Sequence, residues 1–586
     1  MRQKGLLDPE KAACKMGDLN LMLENTETRE YPRPHPEHPE RPFFTGCLRM
    51  EAEGRNFGVY IPEQYPISGA GFFIWMPDHT DCRRFLKDSG FRELAEKYRT
   101  ALILLESGRE GWSRDNIQEE IDYSLGVFRK ALARQYFSVN EATYYLLGLE
   151  NGAYPAAAFG LLHPEIFSCM LLDGDYQLEE PLLEQIRELP SERDSRRKKL
   201  EIPLPAWLVS RESAEPDRIQ QVLMDAGQLR DEGLTDGSAY LYRQDPRRVF
   251  LSADSLPVDE LRITKTQEAP LQDRQELHDR MFSFALRFKR WLGIGNGDLR
   301  PAKTWKDMGL IRQEKWIGGR KREWYIYVPS IYKEYPEQKL PLVLAIHGYS
   351  CTGSLFAENS GWHEVGERRG FIVVYVSACP SNLSFGGTTV PLPTWNSVGM
   401  KAETDDVGFI EEVLEETKRS WPVDSERIYV SGHSNGSLMT QTLMAERPEK
   451  FAAFGPQGAQ FHMALRGEPE AAKREIPDDG ILRPVWLMMG EYDIGDGASL
   501  EPGKANDLFL NMMCRVNGLD RHRETVLQNG KYTTRTFLNE TGIPLVRFSE
   551  VGSLPHAYTP EMAWIYWDQY FCHFRRKADG SVEYIP

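Results

Sequence analysis

Short runs of β-branched and aromatic residues alternate with amphipathic stretches along most of the chain. In the first half, Phe57–Pro62, Gly71–Met76, Thr100–Leu105 and Ala206–Val209 read as strands, and a helical pattern over Ile121 to Gln135 lies between them. A Gly-rich stretch, Gly293 to Ala302, interrupts the pattern. The alternation then restarts with Trp324–Pro329, Leu342–Ile346, Phe371–Val376, Ile428–Ser431 and Pro484–Met489. Near-continuous apolar strands separated by helices predict an α/β fold, a mainly parallel sheet covered by helices on both faces.

The halves repeat one another. Subtracting 284 from Asp406, Val423, Tyr429, Gly432, Asn435, Gly436, Pro448, Glu449 and Phe451 gives Asp122, Val139, Tyr145, Gly148, Asn151, Gly152, Pro164, Glu165 and Phe167, identical in type at every pair. No gap is needed, and two of the glycines belong to one turn. One α/β domain in tandem duplication is predicted, rather than a solenoid. The expected parts are an extended segment over 1–42, a first domain over 43–296, a linker over 297–312 and a second domain over 313–586. The stretch Tyr31 to Pro42 is too rich in proline for helix or central strand, so it reads as a strap. His35 and His38 within it are expected to be solvated or packed rather than metal ligands, since no further ligand cluster accompanies them.

Composition narrows the partners. The formal net charge of −16 repels phosphate backbones and anionic lipid surfaces, so neither a nucleic-acid nor a membrane role is expected. No apolar run approaches the length of a spanning helix, and Met1 to Asp8 is not followed by the apolar stretch of a secretory signal. A cytoplasmic location is the expectation, with a processed secreted protein as the alternative. Eight cysteines occur without a CxxC pair, which argues against zinc or redox motifs and for reduced, buried thiols. No metal or cofactor is implied, and a homo-oligomer is left open.

The candidate chemistry sits in the second half. Gly432-His433-Ser434-Asn435-Gly436 matches G-x-S-x-G, with a β-branched strand before it and a helical run, Leu438 to Glu446, after it. A nucleophile on such a strained strand-to-helix turn is exposed, and the glycines give the backbone room. A serine also needs a base and an orienting acid. The strand ending at Met489 runs into Gly490 to Asp496, where Asp493 is the expected acid, Asp496 the reserve and Glu491 third. His556, on the loop Val551 to Tyr558 before a final helical run, is the expected base; His522 and His573 are poorer competitors. After the first long core strand, His347-Gly348-Tyr349 supplies a second loop, so the Tyr349 and Asn435 N–H groups are the expected oxyanion donors. His347 reads as a turn residue rather than a proton carrier.

These motifs resemble the polyhydroxybutyrate depolymerase and feruloyl esterase family. Asp405 to Ile410, Val423 to Gly436, His347-Gly348, the Gly490-x-x-Asp493 turn and His556-Ala557-Tyr558 occur in the family's order, over roughly residues 315 to 575. The resemblance implies an α/β-hydrolase serine esterase with the triad Ser434, Asp493 and His556 and no cofactor. Ser437 and Tyr349 depart from the pattern, where members often carry glycine and cysteine, which bears on the substrate rather than the chemistry. Trp395, in the Trp395-Asn396 pair, and His433 are candidates for contact with substrate; a core role for Trp395 is the alternative.

In the first half Glu150 replaces the elbow serine, within Gly148-Leu149-Glu150-Asn151-Gly152. Aligning Trp207 on Trp486 puts Ala214 opposite Asp493, and His278 in the final helical run does not fall at the base position. That copy is expected to be catalytically silent, with Glu150 either drifted or retained as a polar group of a binding pocket. The reading is therefore a tandem α/β-hydrolase protein that cleaves small aryl, hydroxycinnamoyl or short-chain esters. Its rivals are a peptidase of the prolyl-oligopeptidase type and a non-catalytic ligand-binding protein.

Overall fold

The computed structural model describes Leu7 and residues 23–30, 44–66, 69–132, 139–192, 197–211, 217–235, 239–244, 258–266, 270–291, 298–385, 388–398, 400, 402–463 and 475–586. The chain forms two compact units that divide between Ala302 and Lys303.

In the first unit the strands are β1 (Leu23–Glu30), β2 (Phe44–Ala52), β3 (Arg55–Ile61), β4 (Gly69–Trp75), β5 (Ala101–Leu105), β6 (Val139–Glu150), β7 (Cys169–Gly174), β8 (Ala206–Arg211), β9 (Leu229–Thr235), β10 (Ala239–Gln244) and β11 (Glu260–Thr266). They form one sheet in the order β1-β2-β3-β5-β4-β6-β7-β8-β11-β10-β9. The run from β5 to β11 is parallel and the flanks are antiparallel. A hairpin of β12 (Phe288–Trp291) and β13 (Asp298–Pro301) follows.

The second unit contains β14 (Ile311–Ile317), β15 (Arg320–Tyr327), β16 (Leu340–Ile346), β17 (Ile372–Val376), the hairpin β18 (Pro380–Phe385) and β19 (Thr388–Pro393), β20 (Val423–His433), β21 (Ala453–Gln457), β22 (Val485–Tyr492), β23 (Glu524–Asn529), β24 (Tyr532–Leu538) and β25 (Pro544–Pro555). Its main sheet runs β14-β15-β17-β16-β20-β21-β22-β25-β24-β23. This is the order of the first sheet without β1. A terminal hairpin, β26 (Phe574–Arg576) with β27 (Val582–Tyr584), answers β12 and β13.

Central strands are buried on both faces because helices cover both sides of each sheet: all of Leu340–Ile346 and all of Ile372–Val376 are shielded. Each fully buried Val, Leu or Ile there contributes roughly 1.5–3 kcal/mol of hydrophobic stabilisation.

The likeness extends to single hydrogen bonds. Tyr145 donates its hydroxyl to Phe288 O at 2.8 Å, and Tyr429 does so to Phe574 O at 2.8 Å. Arg290 Nε reaches Phe167 O at 2.8 Å where Arg576 Nε reaches Phe451 O at 3.0 Å. Trp207 Nε1 donates to Thr264 Oγ1 at 3.0 Å and Trp486 Nε1 to Ser549 Oγ at 2.8 Å.

Within the segment expected to be extended over 1–42, Leu23–Glu30 is an edge strand of the first sheet, paired with β2. The Pro-rich stretch 31–42, with His35 and His38, lies outside the described residues. The segment read as a linker over 297–312 begins with β13, whose Asp298–Pro301 pairs with Trp291–Phe288. Pro301 therefore belongs to a hairpin of the first unit rather than to a free tether.

Among the described residues seven cysteines are free; Cys47, Cys82, Cys169, Cys379 and Cys514 are buried, Cys351 is half-buried and Cys572 exposed.

Candidate active site

β20 leads into the helix Asn435–Glu446 with one residue, Ser434, between them. Ser434 takes φ 55° and ψ −118°, a strained region for a residue with a side chain. A serine before a helix usually caps it by accepting from the first turn, but this hydroxyl makes no such bond. It lies instead 2.8 Å from His556 Nε2.

Glycines make the turn feasible by close approach. A Cβ on Gly436 would stand 2.2 Å from Ile346 O, and one on Gly432 would stand 2.2 Å from Gly436 O. The helix start can therefore press against the end of β16. The loop after β16 reaches the serine too: a Cβ on Gly348 would lie 3.2 Å from Ser434 Cβ. Tyr349 is next in that loop after Gly348, and Asn435 follows Ser434 and opens the helix.

At the end of β22, Asp493 turns its carboxylate onto the base. Oδ1 lies 2.5 Å from His556 Nδ1 and accepts the Ile494 N–H at 2.8 Å, while Oδ2 accepts the Gly490 N–H at 3.2 Å. The carboxylate is fully shielded, whereas the His556 side chain keeps 27% of its surface open. Gly490 permits this meeting: its Cβ would stand 2.3 Å from Leu554 O, on the segment that carries His556. The reserve acids lie elsewhere. Asp496 pairs with Lys504 at 3.2 Å, and exposed Glu491 accepts the Ser553 N–H at 2.7 Å. His573 bonds Ile585 O at 2.7 Å and His522 is exposed.

His347 is buried, with Nδ1 donating to Gly348 O at 2.6 Å and Nε2 accepting the Ala378 N–H at 2.9 Å. Burial first, and the Arg322 charge in addition, pushes its pKa down to about 4. Both nitrogens are committed to backbone, as a turn residue requires. Trp395 is not a platform for substrate. Its side chain is 0% exposed, and Nε1 donates to His347 O at 2.8 Å. An indole so enclosed offers no stacking face to a substrate.

Two residues of the site escape sequence reading. Gln457, at the end of β21, accepts the Ser434 N–H on its backbone oxygen at 2.9 Å. Its side chain donates to Ala557 O at 2.9 Å and accepts from His433 Nδ1. Ser397 accepts from Asn435 Nδ2 at 3.1 Å.

In the first unit Glu150 ends β6 with a positive φ of 50°, close to the 55° of Ser434. Its neighbour Asn151 donates to Asp78 Oδ2 at 2.6 Å, and Asp173 holds Arg274 at 2.5 Å and His278 at 2.8 Å. Ala214, opposite Asp493 in the alignment, lies outside the described residues.

The second unit thus has the α/β-hydrolase fold, with a serine, a histidine and an aspartate joined at the carboxyl ends of its parallel strands. By sequence part of the chain is similar to esterases described as acetylxylan esterases and to a polyhydroxyalkanoate depolymerase. Over 167 residues, 28% of its length, it is 29% identical to a bifunctional acetylxylan esterase/xylanase from Neocallimastix patriciarum, of which it spans 22%. Over 232 residues, 37% of its length, it is 32% identical to a poly(3-hydroxyalkanoate) depolymerase from Paucimonas lemoignei, of which it spans 54%. The chain therefore spans from 22% to 54% of the length of these curated relatives. Among solved structures, an acetyl xylan esterase from Aspergillus awamori matches 45% of this chain and 99% of its own, at 17% identity and a TM-score of 0.32. No family model matches the chain.

Proposed function

We propose that the second unit is a serine-dependent carboxylic ester hydrolase. The observation that carries this reading is the unbroken line from Asp493 Oδ1 through His556 to Ser434 Oγ, at 2.5 and 2.8 Å. His556 takes the hydroxyl proton as Ser434 Oγ attacks the ester carbonyl, and Asp493 holds the imidazolium. The N–H groups of Asn435 and Tyr349 bind the tetrahedral oxyanion. His556 then protonates the leaving alcohol. In the second half, His556 deprotonates water, which attacks the acyl group and frees the carboxylic acid and the serine.

Substrates are esters with short-chain or small aryl acyl groups, hydroxycinnamoyl among them. The acetylxylan esterases among the similar proteins favour acetyl groups on sugars. The first unit is a second copy of the fold without the chemistry, with Glu150 in the place of the nucleophile.

Hydrolysis of p-nitrophenyl acetate, methyl ferulate and acetylated xylan by the full chain, beside Ser434→Ala, tests the reading. We expect the variant to lose at least about a thousandfold in kcat. Equal inactivity of both proteins on all three esters would overturn it, and cleavage of peptide but not ester substrates would favour a peptidase.

A further inference from the structure

His433 precedes the nucleophile, and the surrounding hydrogen bonds fix which of its nitrogens carries the proton. Ala557 O can only accept, so the Gln457 amide group that donates to it at 2.9 Å must be the NH2. That leaves Gln457 Oε1, an acceptor, facing His433 Nδ1. His433 Nδ1 is therefore the protonated nitrogen, and Nε2 carries a lone pair. Burial, with the neighbouring His556 in addition, pushes the His433 pKa down to about 3, so the ring stays neutral.

The ring is pinned in place. Gly458 lies on one side, where a Cβ would come within 3.2 Å of His433 Cε1, and Gly348 on another, where a Cβ would come within 3.3 Å of Cδ2. Among the described residues no donor is bonded to Nε2, and the residue keeps part of its surface open. The His433 and His556 ring centroids are 4.8 Å apart. Since His556 hands its proton to the leaving oxygen, the substrate group beside His433 belongs to the alcohol.

We propose that His433 is a specificity-determining residue whose Nε2 accepts a hydrogen bond from a hydroxyl on the alcohol portion of the ester, selecting esters of polyols such as sugars. The inference rests on the esterase reading of Ser434. An acceptor with no donor among the described residues is desolvated by an alcohol group that lacks a hydroxyl, and that unpaired lone pair penalises such substrates.

The test compares kcat/KM for a monoacetylated methyl xyloside with that for cyclohexyl acetate, which lacks the hydroxyls. The wild type should prefer the xyloside at least about tenfold. His433→Phe and His433→Met, which keep bulk but remove the acceptor, should lower that ratio about tenfold or more. Fluorophosphonate labelling of Ser434 verifies that each variant retains an assembled site. If the wild type hydrolyses both esters with equal kcat/KM, or a labelled variant keeps the full ratio, the role of His433 is overturned. If the wild type hydrolyses no ester at all, the esterase reading fails instead.

Discussion

Asn435 Oδ1 accepts the backbone N–H of Trp395 at 2.7 Å, so the residue after the nucleophile is tied to the segment that follows the hairpin of β18 and β19. The same side chain donates to Ser397 Oγ at 3.1 Å, and Asn435 is 2% exposed. Asn435→Ala leaves the Trp395 N–H unpaired in a shielded place, which costs about 1–3 kcal/mol. For a unit of this size, the melting temperature should fall by roughly 2–4 °C per kcal/mol. Because the Asn435 N–H opens the helix beside Ser434, kcat should fall with it. A variant with unchanged thermal stability would show that the tie does no structural work.

The same segment is anchored from below by a buried ion pair. Arg322 Nη2 meets Asp406 Oδ1 at 2.6 Å, with side-chain exposures of 2% and 0%. Asp406 Oδ2 also accepts the Asn396 N–H at 2.7 Å and the Thr404 hydroxyl at 3.0 Å. Asp406→Ala strands the guanidinium, and about 3–5 kcal/mol of stability should be lost in chemical denaturation. The double variant Arg322→Met, Asp406→Leu should recover most of that loss. If the double variant is as unstable as the single one, the cost comes from the lost hydrogen bonds to Asn396 and Thr404 rather than from an unpaired charge.

Much of this geometry was legible in the sequence, for reasons that can be named. Leu342–Ile346 and Phe371–Val376 announce themselves because strands buried on both faces carry unbroken apolar runs. Ser434, Asp493 and His556 each sit just beyond a strand end marked by Gly or Pro, so their order and spacing survive in one dimension. The outer antiparallel strands do not read this way. β14, Ile311–Ile317, carries Arg312, Gln313, Glu314 and Lys315 and is largely exposed, so no apolar pattern marks it. Gln457 was invisible because its role depends on Ala557, 100 residues away. Trp395 was ambiguous because an aromatic near an elbow can face either the pocket or the core, and only packing decides.

Acid should weaken the second unit in a defined window. Burial holds His347 and His363 down to about 4, and burial with His556 holds His433 down to about 3. In the unfolded chain each histidine takes its proton near the ordinary value of about 6.5. Between about pH 6.5 and 4 the unfolded state binds more protons, so stability falls as pH falls. For fully shielded His347 the loss is on the order of 3 kcal/mol by pH 4. His363→Phe removes one of these groups and should flatten the dependence of unfolding free energy on pH by about one proton across that window. An unchanged slope in the variant would mean His363 is not buried neutral.

Glu150 should not be convertible into a nucleophile. β4 and β16 share a register in which Trp75 pairs with Gly148 and Ile346 with Gly432, so Asp78 falls at the place of Tyr349. Where an oxyanion would need donors, the Asp78 carboxylate stands instead, accepting the Asn151 amide at 2.6 Å and the Trp112 N–H at 2.7 Å. A developing negative charge beside it would be repelled. Asp173, at the place of Gln457, is committed to Arg274 and His278, and His278 is 1% exposed within the core cover of the sheet. Among the described residues, a serine at position 150 would therefore have neither base nor oxyanion site. The full chain carrying Ser434→Ala with Glu150→Ser should hydrolyse p-nitrophenyl acetate no faster than Ser434→Ala alone and should not label with a fluorophosphonate. Turnover tenfold above that background would mean that the first unit keeps working parts of the machinery, and that its silence rests on the single replacement of serine by Glu150.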